Sequence, residues 1–323
     1  MKETAYTFAV AKIRTIETNL LNSSDIEQLI TASDYDSAIR VLEDKGFISE
    51  NENEDIECLL KQQIKNTWQL LSEISPDRSQ LEFLVVRNDF HNLKAVLKAL
   101  LSGVENADYF ILPSLIDPEL IKTAVISKRF NDLPNFLADG AAKTYDVLVR
   151  TTDGQLADIM LDAMTLDNII LRAEKTSNNF IKKLAELIAV TANIKLAFRA
   201  ARTGKDEQFL KTALCSPKTL DKSALINAAK KGLEELINFL SGTAYKEAAE
   251  YFKISTTAFE KWCDDIIMSH IESAKYVSFG TEPLIAYYIA KEAEIKTIRI
   301  ILSCKHNNMA ADIIRERVRK LYV

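Results

Sequence analysis

The sequence predicts an all-α fold, and three observations carry that prediction. Glycine (8) and proline (6) are scarce among 323 residues, so helix interiors can run without breaks. Apolar residues recur every three or four positions through most of the chain, which puts them on one helical face, and no convincing pair of strands stands out. Asn92-Leu93-Lys94, Asn193-Ile194-Lys195 and Glu294-Ile295-Lys296 stand 101 residues apart, each inside a long apolar stretch.

Near the N-terminus, Ala9, Ile13, Ile16 and Leu20 share one helical face and leave Lys12, Arg14 and Glu17 for the others. After a turn at Asn22 and Ser23, Ser24 with Glu27 reads as a capping box that opens a short helix holding Ile26, Leu29 and Ile30. A further helix is expected from Asp36 to Lys45, stopped by Gly46. The acidic run Glu50 to Asp55 reads as a solvated loop into a longer helix, with Ile56, Leu59, Leu60, Ile64, Trp68 and Leu71 as its stripe and Trp68 as a core residue. Beyond Ser75-Pro76, the stretch from Leu81 to Leu101 is one long helix or two, ended at Gly103.

Asp117-Pro118-Glu119 combines an N-cap, a proline fit for the first turn and an acid placed for the helix dipole, so a helix starts near residue 118. Pro134 interrupts a helix or opens one. Helical spacing resumes at Leu156, Ile159, Met160 and Ala163, continues around Ile169 and Ile170, and returns at Leu184, Leu187, Ile188, Ile194 and Phe198 before Gly204. Residues 223–240 are helical in pattern, Gly242 separates them from the next helix, and Thr257 with Glu260 reads as a second capping box ahead of Trp262. Thr281-Glu282-Pro283 opens a final long helix with Leu284, Tyr287, Tyr288, Ile295, Ile298 and Leu302 on its buried stripe.

Composition narrows the function classes. Hydrophobic residues make up 47% and charged residues 27%, a globular balance. Lys plus Arg (41) against Asp plus Glu (46) gives a net charge of −5, so no global basic field exists to hold nucleic acid or an anionic bilayer. Cys58, Cys215, Cys263 and Cys304 lie too far apart for a disulfide framework or a metal spacing and read as free thiols in a reducing compartment. The N-terminus has no signal-peptide pattern, and no run of ~18 apolar residues predicts a membrane span.

The triplets organise the chain. The same register pairs Leu84 with Ala185 and Ala286, Lys98 with Arg199, and Gly103 with Gly204, while the third copy departs at Ile300 and Lys305. Tyr35 to Leu42 echoes Tyr245 to Phe252 more weakly, with a different offset. Duplication accounts for this pattern and gives three helical domains, 1–103, 104–204 and 205–323, the last with an added C-terminal helix, able to close a pseudo-threefold body or stack as a short solenoid.

Catalytic chemistry is not legible. The nearest glycine pairs, Gly232 with Gly242 and Gly140 with Gly154, are too far apart for a dinucleotide fingerprint or a phosphate loop. His91, His270 and His306 make no metal pair, no G-x-S-x-G elbow occurs, and Asp264-Asp265 and Asp162 with Asp167 are the paired acids of any helical surface. No catalytic residue, cofactor site or metal site is expected. The remaining candidates are protein contacts: Lys94, Lys195 and Lys296, one cation per repeat, together with Arg199. Arg315 to Lys320 is a second basic stretch, for which the helix macrodipole is the preferred account.

Tyr6 to Leu21, Arg87 to Lys98 (RNDFHNLKAVLK), Asn193-Ile194-Lys195 with Arg199, and Glu282 to Arg299 (EPLIAYYIAKEAEIKTIR) resemble, in order and spacing, the C subunit of bacterial and archaeal V-type (A-type) ATPases and ATP synthases, relatives of the eukaryotic V-ATPase d subunit. The resemblance runs end to end. It implies a funnel-shaped body of three similar domains, peripheral on the cytoplasmic face of the membrane, seated on the rotor ring of proteolipid subunits and receiving the central stalk. A protein of this kind passes torque between ATP turnover and proton or sodium transport and performs no chemistry itself. Glu294, where the other copies have Asn, makes any threefold-equivalent contact imperfect. Two competing readings are a helical scaffold that binds peptides in a groove and an all-α enzyme acting on prenyl-type substrates. The latter lacks the third acid of a D-D-x-x-D metal cluster after Asp264-Asp265.

Overall fold

The computed structural model describes residues 3–47, 55–103 and 109–323. Among these, the regular elements are all helical, as the scarcity of glycine and proline predicts. The first α-helices are α1 (Thr7–Glu17), α2 (Ser23–Thr31), α3 (Tyr35–Asp44), α4 (Ile56–Ile74) and α5 (Glu82–Ser102). The middle of the chain forms α6 (Pro118–Ile126), α7 (Asn135–Thr151), α8 (Gly154–Glu174), α9 (Asn179–Thr203), α10 (Glu207–Ala213), α11 (Lys222–Lys231) and α12 (Leu233–Ser241). Toward the C-terminus lie α13 (Lys246–Ile254), α14 (Thr256–Ile271), α15 (Glu282–His306) and α16 (Ala311–Arg317). They form two compact units, one of residues 1–78 with 250–323 and one of residues 79–249.

In the unit built from both ends of the chain, α15 is the central helix. It packs against α1, α3, α4, α14 and α16. Ile295, Ile298, Ile301 and Leu302 join Ile26, Leu29 and Ile30 of α2, Ala38 and Leu42 of α3 and Leu60 of α4 in one core cluster. In the unit of residues 79–249, α5 packs along α8 and against α6 and α7, while α9 packs against α8, α11 and α12. Phe90, Leu93 and Leu97 of α5 and Ile194 and Phe198 of α9 are buried there. Burying a side chain of this size contributes about 1.5–3 kcal/mol, which is why these stripes, rather than helix propensity, hold the elements in place.

The long helices end where the sequence says they should. Gly103 (φ +67°) and Gly204 (φ +63°) adopt left-handed conformations open to glycine at no steric cost, and their N–H groups close on Ala99 and Ala200, again 101 residues apart. The stretch from Leu81 to Leu101 is one continuous helix, and Pro134 opens α7 instead of breaking a helix.

Several local expectations are corrected. The first capping box is Asn22 with Asp25, not Ser24 with Glu27: Asn22 Oδ1 accepts from Ser24 and Asp25 N–H, and Asp25 Oδ2 accepts from Asn22 N–H at 3.0 Å. Asparagine caps as well as serine, and starting two residues earlier adds half a turn of helix. Ser255, not Thr257, caps α14 by accepting from Ala258 N–H at 3.0 Å. Residues 223–240 split at Gly232 (φ +116°) into α11 and α12. The helix opened by Glu282 is the last long one, as expected, and the short α16 follows it. Trp68 is half-buried, its ring edge-on to Tyr288 at 5.9 Å, while the neighbouring Thr67 is buried. Glu17 is buried as well, because Arg14 Nη1 meets it at 2.7 Å and neutralises it. The acidic run from residue 50 lies outside the described residues up to Asp55, which caps α4.

Candidate interaction surfaces

The three triplets fall at the middles of α5, α9 and α15, and each of their positions does a different job. The central residues Leu93, Ile194 and Ile295 are core. The first residues are buried polar groups, 0% exposed at Asn92, 1% at Asn193 and 2% at Glu294, and each takes hold of a backbone segment ahead of another helix. Asn92 brackets Ile111: Nδ2 donates to its carbonyl at 3.0 Å and Oδ1 accepts from its N–H at 2.7 Å. Asn193 brackets Cys215 the same way, at 3.1 and 3.2 Å. Glu294 has no donor, and its Oε1 accepts from Leu21 N–H at 2.7 Å while Oε2 receives Lys291 Nζ at 2.5 Å. A side-chain amide that satisfies both backbone groups of one residue removes the cost of burying them.

The third residues are the candidate contacts. Lys94 Nζ pairs with Asp162 of α8 at 2.6 Å, and Lys296 Nζ with Asp264 of α14 at 2.5 Å, each inside its own unit. Lys195 is half-buried on α9, and Arg199, one turn on, is exposed. One turn after Lys94, Lys98 meets Asp158 at 2.7 Å. Arg299 meets Glu57 of α4 through both Nε and Nη2. Exposed pairs of this kind contribute ~0–1 kcal/mol, so they set local charge more than stability.

Perturbed groups are deeper. Burial pushes the Tyr287 hydroxyl up to about 12, with Glu294 and Glu17 adding to the rise, and burial beside Asp167 pushes the Cys215 thiol to about 12. Neither is a reactive nucleophile at neutral pH. Among the described residues no group of His, Cys, Asp and Glu is arranged to hold a metal ion, and no helix is long and apolar enough to cross a membrane.

Residues 9–317 match the family model described as ATP synthase (C/AC39) subunit. The chain belongs to that family. The C subunit of the V-type sodium ATPase of Enterococcus hirae is 26% identical over 320 residues, covering 96% of this chain and 97% of the relative. The C subunit of the A-type ATP synthase of Methanocaldococcus jannaschii is 24% identical over 344 residues, covering 96% of this chain and 85% of the relative. That of Desulfurococcus is 23% identical over 332 residues, covering 98% and 91%. A C/AC39 chain is a structural subunit of its complex, not a catalytic one.

In this C/AC39 chain the basic C-terminal stretch places Arg315 and Arg317 in the last turn of α16, as the helix dipole favours, and it also makes specific pairs. α16 ends at Arg317; Arg315 pairs with Glu27 of α2, Arg319 Nε with Asp264 at 2.8 Å, and Lys320 Nζ with Glu272 at 2.7 Å. The stretch straps α2 and α14. The buried polar groups that hold these backbone segments are what a search for surface cations misses. The signal available for Asn92 and Asn193 is asparagine inside a strongly apolar helix, where its helix propensity is poor and burial demands a partner. Asn88 and Asp89 beside Asn92 carry the same signal.

Proposed function

We propose that this chain couples the central stalk of a rotary V-type ATPase or ATP synthase to the proteolipid ring, from the cytoplasmic face, passing torque during ATP-linked proton or sodium transport. The family match over residues 9–317 carries the reading, and the relatives' names, C subunits of a V-type sodium ATPase and of A-type ATP synthases, support it. On this reading the three long helices mark three domains, 1–103, 104–204 and 205–323, built on one plan. A coupling needs stiffness more than chemistry, and the buried brackets on Ile111, Cys215 and Leu21 supply it by fastening connecting segments to long helices. Arg199, exposed, and Lys195 are the partner contacts we assign within α9, and Lys94 and Lys296 meet a partner by exchanging their internal acids for external ones.

The test is capture of the tagged chain from gently solubilised membranes in which the intact ATPase is shown to survive. Co-purification of proteolipid and stalk subunits is the expected result. Their reproducible absence overturns the proposal.

A further inference from the structure

Residues 111–116 lie along α5 as a strap, and three buried side chains hold them. Asn88 Nδ2 donates to Pro113 O at 2.7 Å, and Asn92 brackets Ile111. Asp89 Oδ1 accepts from the N–H groups of both Leu115 and Ile116 at 2.9 Å. The outer edge of the strap is apolar, with Ile111 and Leu112 exposed.

Asp89 differs from the two amides beside it. It is 0% exposed, and its Oδ2 is buried without a hydrogen-bond partner among the described residues. The cation that acts on it most, Arg172 of α8, gives Nη1 to Glu82, lies over the Phe136 ring at 4.6 Å and has a buried Nε with no partner among the described residues. An ionised carboxyl there loses water at Oδ2 and gains no donor, so burial favours the neutral acid.

We infer that Asp89 is a proton-operated latch on the 111–116 strap: the protonated acid keeps the strap shut on α5, and loss of the proton favours its release.

Among the described residues the charged surroundings are few. Burial pushes Asp89 up to about 7, the two N–H groups and Arg172 pull it back part of the way, and Glu82 adds to the rise. On its own helix Arg87 and His91 are exposed; on α6 Glu119 is exposed and Lys122 half-buried; on α7 Asp139, Lys143, Asp146 and Arg150 are all exposed. Asp158 and Asp162 of α8 are held by Lys98 and Lys94, and the strap itself has no charged residue. A carboxyl raised in the shut state and ordinary in the open one loses its proton on opening. The strap is therefore held most tightly below the ordinary carboxylate range, and its opening constant climbs about tenfold per pH unit from there to about 7, then levels.

Residue-resolved hydrogen exchange of the full chain between about pH 5 and 8.5, divided by the intrinsic rates of an unstructured chain, reads this directly. The expected result is that protection of Leu115 and Ile116 falls about tenfold per unit up to about pH 7 and then levels, while the Cys215 amide in the same unit does not follow. In Asp89→Asn, which keeps the acceptor and cannot titrate, the slope vanishes. A flat wild-type profile, a slope that survives in the variant, or Cys215 moving in step overturns the latch. Should Asp89→Asn fail to fold, the carboxyl-carbon shift of Asp89 in the wild-type chain decides: a midpoint near the ordinary value of about 4 overturns the latch and one near 7 supports it.

Discussion

Asn92 and Asn193 in one unit and Glu294 in the other occupy the same place in their long helices, and they fasten backbone by different chemistry. Each amide holds both groups of a single residue and stays neutral. Glu294 holds one N–H, and its remaining charge is balanced by Lys291, 7% exposed and lying over the Phe47 ring at 4.9 Å. The repeated demand is that a connecting segment be tied to the helix centre; whether an amide or an ion pair does so depends on which polar partners surround it. A buried ion pair is costly to break by one member, whereas a neutral bracket leaves only unpaired amides behind.

The largest expected effect tests that asymmetry. Glu294→Ala leaves Lys291 buried without its counter-charge and is expected to cost about 3–5 kcal/mol. Urea unfolding followed by tryptophan fluorescence reads it selectively, since Trp68 and Trp262 both lie in that unit. A cost of only about 1–3 kcal/mol, that of losing a neutral bracket, would make the two chemistries equivalent. Asn92→Ala and Asn193→Ala each orphan a backbone pair and are expected to cost about 1–3 kcal/mol, measured by thermal unfolding in far-ultraviolet circular dichroism. Lys291→Met combined with Glu294→Gln removes both charges and keeps volume, so its stability is expected within about 1 kcal/mol of wild type, or higher; a cost equal to that of Glu294→Ala would assign the pair more than charge balance.

At the surface the comparison should fade. Lys94→Ala and Lys296→Ala break exposed pairs in different units and are each expected to change unfolding free energy by less than ~1 kcal/mol. The smallest effect is at Glu207, which hydrogen bonds from Lys211 and Lys230 hold down at about 2. Its contribution is present above the ordinary glutamate value and is lost as pH falls toward about 2. Glu207→Gln therefore flattens the acid side of the melting-temperature profile slightly, and less so in high salt.

Helix positions are legible because burial imposes a period on the sequence, and the left-handed stops at Gly103 and Gly204 are legible because few other residues take that conformation. Cap identity is harder: Asn22 against Ser24 and Ser255 against Thr257 are choices among equally good acceptors, settled by where the chain turns. The burial of Glu17 depends on Arg14, whose Nη2 also reaches the carbonyls of Ala274 and Val277, hundreds of residues away. The triplet period falls on three long helices, and the lysine at its end is the conspicuous residue of each copy. The asparagine at its start makes contacts set by tertiary partners that no local spacing reports.

The four free cysteines divide by depth and by unit. Cys58 is exposed, Cys263 and Cys304 are sealed in the unit that holds α15, and Cys215 is sealed in the other. A sulfhydryl reagent thus meets one target at once and the rest only when their surroundings part. The chain carries an internal clock for each unit, with Cys58 marking time zero, so the lifetime of either unit can be timed separately within a single chain.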